Sequence, residues 1–112
     1  MPQDNASLLD IYDAGQQILS YAQEVTHSTL QTDRMRISAI LYQIIIIGEA
    51  TKRLSSEFRH QHPDIPWDNM AGMRDIVAHQ YDRIDFNVLL GVVQHSIPEM
   101  LEKIEPLLPQ AF

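Results

Sequence analysis

The chain of 112 residues contains no cysteine. That removes disulfide frameworks, thiol nucleophiles and thiolate metal sites from consideration. Folding is then independent of redox compartment, and the expected cytoplasmic location is compatible with this. Glycine is scarce, at four residues, and no alternating apolar–polar run is bracketed by turn residues, so strands and hairpins are not expected. Basic residues are in the minority: 8 Lys+Arg face 15 Asp+Glu, for a formal net charge of −7. Such a balance argues against coating duplex nucleic acid by bulk electrostatics, while leaving room for a small local basic site. The most apolar run, AILYQIIIIG at 39–48, is about half the length of a bilayer span. The opening MPQDNASLLD lacks the basic-then-apolar pattern of a signal peptide. Neither a membrane association nor export is expected.

What is present is helical signal, in a length that suits one domain over residues 1–112. Leu8, Ile11, Tyr12, Ile18, Leu19, Ala22 and Val25 fit one stripe at the 3.6 period and predict a first helix over about 6–27. Thr32 precedes the start of a second, with Asp33 in its first turn, and Ile37, Ile40, Leu41, Ile44, Ile45, Ile47, Ala50 and Leu54 carry it to about Phe58. Four adjacent isoleucines, 44–47, point around a helix's whole circumference, which predicts burial on nearly every side. The connector HQHPDIPWDN is rich in turn residues, so His60 and His62 are expected in solvent. Pro66 suits the first position of a third helix over about 66–80. Asp85 suits the N-cap of a fourth, 86 to about 105, which Pro98 should kink. Charge is uneven along this layout. Residues 1–33 hold acids and no Lys or Arg, while 34–63 are net basic through Arg34, Arg36, Lys52, Arg53 and Arg59.

The densest polar cluster is Arg74, Asp75, His79, Tyr81, Asp82 and Arg83, at the end of the third helix. Asp75 and His79 are four apart and share a helix face, so the carboxylate can orient the imidazole. Arg74 and His79 are five apart and project about 140° from one another, flanking a groove. An Arg beside a His suits phosphodiester chemistry: the imidazole moves protons near neutral pH, and the guanidinium holds a phosphate and the charge that grows on it. RNA brings its own nucleophile, the 2′-hydroxyl, so neither a metal nor a cofactor is expected. Asp75 and His79 alone do not make a metal site, and a structural ion pair is the plainer account of the cluster. Trp67 reads as a core anchor. Glu49 lies in an apolar helix, where a carboxylate needs a partner. Arg53, four residues on, is the nearest in sequence, and a supporting role for both at an active site or interface is the sharper reading.

Residues 48–81 resemble the central signature of the HEPN superfamily, in its HepT-like branch. The matching elements are Gly48-Glu49-Ala50, Arg53-Leu54-Ser55, His62-Pro63, Ile65-Pro66-Trp67, Gly72-Met73-Arg74-Asp75, and His79 with Tyr81. The superfamily motif, an Arg, a polar residue and a His after four to six intervening positions, reads here as Arg74, Asp75 and His79. The resemblance implies an all-α, up-and-down bundle of four to five helices that pairs as a homodimer or a higher assembly. It implies a metal-independent ribonuclease acting as a toxin, with Arg74 and His79 as the catalytic pair at a dimer cleft and Asp75 as the orienting residue. It also implies a nucleotidyltransferase antitoxin that attaches AMP to Tyr81. Gln80, and Asp82-Arg83 after the tyrosine, depart from many relatives and leave substrate preference open. The alternative is a non-catalytic helical subunit that binds nucleotide or partner in support of a nucleotidyltransferase.

Overall fold

The computed structural model describes residues 2–80 and 84–109, without the side chains of residues 2 and 76–80. Among the described residues there are helices and no strand: α1 (Pro2–Tyr21), α2 (His27–Thr32), α3 (Arg34–Arg53), α4 (Ser56–Gln61), α5 (Trp67–Gln80), α6 (Phe86–Gly91) and α7 (Ile97–Ile104). A π-helical turn, Val92–Ser96, joins α6 to α7, and a 3-10 turn, Glu105–Leu107, ends the run. The result is an all-α bundle among the described residues. α3 lies at its centre, packed along α1 on one side and α5 on the other, with α7 against α1. The core is aliphatic. Leu8, Ile11, Ile18, Leu30, Ile40, Ile47, Ile97 and Ile104 are fully enclosed, each side chain contributing about 1.5–3 kcal/mol on leaving water.

The expected first helix ends at Tyr21 rather than near residue 27. Glu24 takes a left-handed backbone (φ 62°), which an α-helix of L-residues cannot continue through. Thr26 then caps α2: its hydroxyl accepts from the Thr29 N–H while the Thr29 hydroxyl accepts from the Thr26 N–H.

The expected second helix divides at Leu54, whose backbone is extended (φ −65°, ψ 141°). The division is held from a distance. Asp4, in the first turn of α1 and only 3% exposed, accepts hydrogen bonds from both the backbone N–H and the hydroxyl of Ser55, each at 2.8 Å. The Ser55 hydroxyl in turn accepts from the Phe58 N–H and caps α4. Donation by the Ser55 N–H, opposed by burial and aided by its hydroxyl, holds the Asp4 carboxyl below its ordinary value.

Two further expectations change in contact with the fold. Of the four isoleucines, Ile44 and Ile47 are buried, while Ile45 and Ile46 are half-buried. One chain therefore does not enclose the segment on every side. His62 is half-buried rather than solvated. Its ring lies 4.7 Å from that of Phe58, and its carbonyl accepts a 2.9 Å bond from the indole N–H of buried Trp67. Asp85 does cap α6, accepting from the N–H groups of Asn87 and Val88. The disturbance from Pro98 takes the form of the π-helical turn, in which the Ile97 N–H reaches back to Val92. A wider turn relieves the clash between a proline ring and the carbonyl four residues earlier.

Candidate active site

The site begins with a glycine. A Cβ built on Gly48 would lie 2.8 Å from the Arg74 Cβ, 3.2 Å from the Arg74 backbone nitrogen and 3.3 Å from the Ala71 carbonyl oxygen. Ordinary carbon contacts are about 3.5–4.0 Å, so α3 and α5 meet here backbone to backbone with no side chain between them. This close crossing brings the residues that follow Gly48 onto the outward face of α5.

Two ion pairs bridge the crossing. Glu49 Oε1 contacts Arg74 Nε at 2.5 Å, and Lys52 Nζ lies 3.9 Å from Asp75 Oδ1. α3 thus presents an acid and then a base, and α5 presents a base and then an acid. The four charges sum to zero, so the cluster is locally neutral within an acidic chain. Both members of the first pair are a little over two-fifths exposed, at 43% for Glu49 and 44% for Arg74. They stand at a surface that a solute can reach. α5 continues unbroken through residue 79. The backbones of Arg74 and His79 therefore lie on one helix, separated by about 7.5 Å of rise.

Of the residues singled out from sequence, the structure brings together Glu49, Arg74 and Asp75. Arg53 is not the partner of Glu49. It reaches across to α1 and pairs with Asp10 at 3.1 Å, because α1 and not α5 lies beside that face of α3. The side chain of His79, and Tyr81 as a whole, lie outside the described residues. Lys52 was counted in the sequence only as part of a basic segment. Its signal is the alternation Glu49, Lys52 on one helix against Arg74, Asp75 on another, which has no meaning until the crossing point is known. No group of three His, Asp or Glu that could hold a metal ion occurs among the described residues, and no described helix is long and apolar enough to cross a membrane.

A second feature leads up to the cluster. Met35, Ala39, Tyr42, Ile46 and Glu49 follow one line along α3, within about 40° of its mean direction at 100° per residue. Met35 is 83% exposed and Tyr42 62%; Ala39 and Ile46 are half-buried. An apolar stripe on the outside of a central helix thus ends at the Glu49–Arg74 pair.

Comparison with known proteins places this arrangement in context. Residues 11–107 match the family described as ribonuclease HepT-like. A protein of Thermococcus cleftensis named as a probable ribonuclease HepT is 36% identical over 100 residues, covering 89% of this chain and 91% of the relative. Two proteins of Methanocaldococcus jannaschii named as candidate RNases are 28% identical over 100 residues (89% and 92% coverage) and 33% identical over 98 residues (81% and 84%). No solved structure matches the chain.

Proposed function

Because the chain belongs to the HepT-like ribonuclease family, we propose that its ribonuclease chemistry is carried by Arg74 and His79 and needs no metal. The observation that carries this reading is the placement of Arg74. Its guanidinium stands half-exposed on α5, tied to Glu49, on the same unbroken helix as His79. In the reaction, an imidazole takes the proton from the 2′-hydroxyl. The 2′-oxygen attacks phosphorus, the bond from phosphorus to the 5′-oxygen breaks, and a protonated imidazole returns a proton to that oxygen. The products are a 2′,3′-cyclic phosphate and a 5′-hydroxyl. Arg74 binds the non-bridging oxygens and stabilises the charge that develops on them. Asp75 orients the His79 ring.

In-line displacement puts the proton acceptor and the proton donor on opposite sides of phosphorus. One helix cannot supply both from a single His79, whereas two copies of the chain facing one cleft can. The apolar stripe of Met35, Ala39, Tyr42 and Ile46, which ends at the ion pair, supports pairing through this face of α3. A cleft built from two copies also brings two Arg74 guanidiniums to one phosphate, a short-range attraction that acts within a chain whose net charge of −7 repels RNA at a distance. In this reading the protein is the toxin of a toxin–antitoxin pair. A nucleotidyltransferase antitoxin silences it by attaching AMP to Tyr81, one residue past the end of α5. The added phosphate would repel RNA from the cleft.

Cleavage of RNA in EDTA by the purified protein, abolished in both Arg74→Ala and His79→Ala, is the expected result. Undiminished cleavage in either variant sinks the assignment. Growth arrest on expression of this chain alone, relieved by His79→Ala and by co-expression of an adjacent nucleotidyltransferase, tests the toxin role.

A further inference from the structure

We propose that Glu49 is a positioning residue that fixes the edge by which Arg74 meets the scissile phosphate. This rests on the reading of Arg74 as a phosphate ligand. A guanidinium offers two edges for a bidentate contact: the side edge, through Nε and one Nη, and the end edge, through both Nη groups. The Glu49 carboxylate sits on Nε and so commits the side edge. The end edge, pointing away from Glu49, is the one a phosphate meets.

The arginine is held at both ends. At its root, the Arg74 Cβ and backbone nitrogen lie against the bare Cα of Gly48, where no side chain fits. Near its tip, Nε is tethered by the very next residue of α3. Consecutive residues on one helix thus set how closely the other helix approaches and which way its arginine is drawn. The Nε contact favours one orientation of the guanidinium before substrate arrives, which lowers the ordering cost left to binding and to the transition state. The neighbouring Lys52–Asp75 contact, at 3.9 Å, is looser and does not have this geometry.

A carboxylate beside a phosphate site is repulsive, so the sign of its effect is informative. If Glu49 were only a surface acid, its removal would tighten RNA binding and raise kcat/KM. A positioning role predicts the opposite in kcat.

The experiment is steady-state cleavage of a short RNA oligonucleotide in EDTA by the full chain and its Glu49→Ala, Glu49→Gln, Arg74→Ala and Arg74→Lys variants. Thermal midpoints are recorded for each, and a half-exposed ion pair should move them little. Glu49→Ala is expected to lower kcat by roughly 10- to 100-fold, the scale of a 1 Å misplacement, with KM unchanged or lower. Glu49→Gln keeps an oxygen acceptor for the Nε–H and should recover most of kcat. In the Arg74→Lys background, where no Nε–H edge exists, Glu49→Ala should bring no further loss. Wild-type or raised kcat in Glu49→Ala, with Arg74→Ala inactive, overturns the positioning role alone. Full activity in Arg74→Ala overturns that role together with the reading beneath it. If Glu49→Ala does not fold, Glu49→Asp serves: it keeps the charge but is too short to reach, so wild-type kcat there also overturns the role.

Discussion

Gly48→Ala is the most direct probe of the helix crossing on which the site is built. The added methyl carbon would sit 2.8 Å from the Arg74 Cβ and 3.2–3.3 Å from two backbone atoms of α5. Two of those three neighbours are backbone and the third is the root of a side chain, so no rotamer change relieves the clash. To restore a carbon contact of about 3.8 Å, α5 must retreat by roughly 1 Å. Overpacking of this kind costs about 1–3 kcal/mol. Replacing a mid-helix glycine by alanine returns about 0.5–1 kcal/mol of backbone entropy. The net expectation is a loss of up to about 2.5 kcal/mol, or a fall in Tm of up to roughly 10 °C for a domain of this size. Gly72→Ala is the control. Gly72 also lies inside a helix, α5, but its Cβ would meet nothing within 4 Å, so the same substitution should raise Tm by a few degrees. Thermal melts followed by circular dichroism compare the two directly. If Gly48→Ala stabilises the protein as much as Gly72→Ala, the close crossing is not what the glycine serves.

Three further outcomes are expected. Asp4→Asn should lower stability at neutral pH by about 1–3 kcal/mol, the worth of hydrogen bonds to a buried charged acceptor, as read by urea denaturation. Because the folded state depresses the Asp4 pKa below 3.8, the wild type keeps this contribution above that pH. It loses it as pH falls through the lower folded value, and the variant should lack that part of the acid slope. Glu24→Gly should raise stability by about 1 kcal/mol, since a non-glycine residue in the left-handed region is strained by that order; no gain in the urea midpoint would count against a φ of 62° there. Arg53→Ala should change stability by less than about 1 kcal/mol, because its pair with Asp10 is half-exposed on both sides. A double-mutant cycle with Asp10→Ala measures the coupling.

The helical class, the apolar stripes and the cap at Asp85 were legible because each depends on residues within one or two turns of one another; Asp33, expected inside the first turn of the second helix, caps it instead. The division of the second helix was only half legible. Lys52 and Arg53 followed by Ser55 and Ser56 is a stop signal beside a start signal, but the acceptor that stabilises the break is Asp4, 51 residues away. The site shows the same limit. Spacing along the chain put Arg74, Asp75 and His79 on one helix and offered Arg53 as the partner of Glu49. Sequence distance favours a partner four residues away over one 25 residues away, and the crossing at Gly48 reverses that preference. The glycine itself stood in the motif Gly48-Glu49-Ala50, but a glycine's reason for being small is visible only when its neighbour from another helix is in place.

The bond between Asp4 and Ser55 has a consequence for the order in which parts of the molecule open. First turns of helices fray on fast timescales, and a residue at position 4 would ordinarily be free to do so. Here that turn holds the backbone N–H and hydroxyl that define the entry to α4. Fraying of the first turn of α1 removes the acceptor of both Ser55 groups, which couples it to the opening of α4. Amide exchange at Ser55 should follow the protonation of Asp4 and not the global stability. The entry to α4 thus answers to the ordering of the first turn of α1.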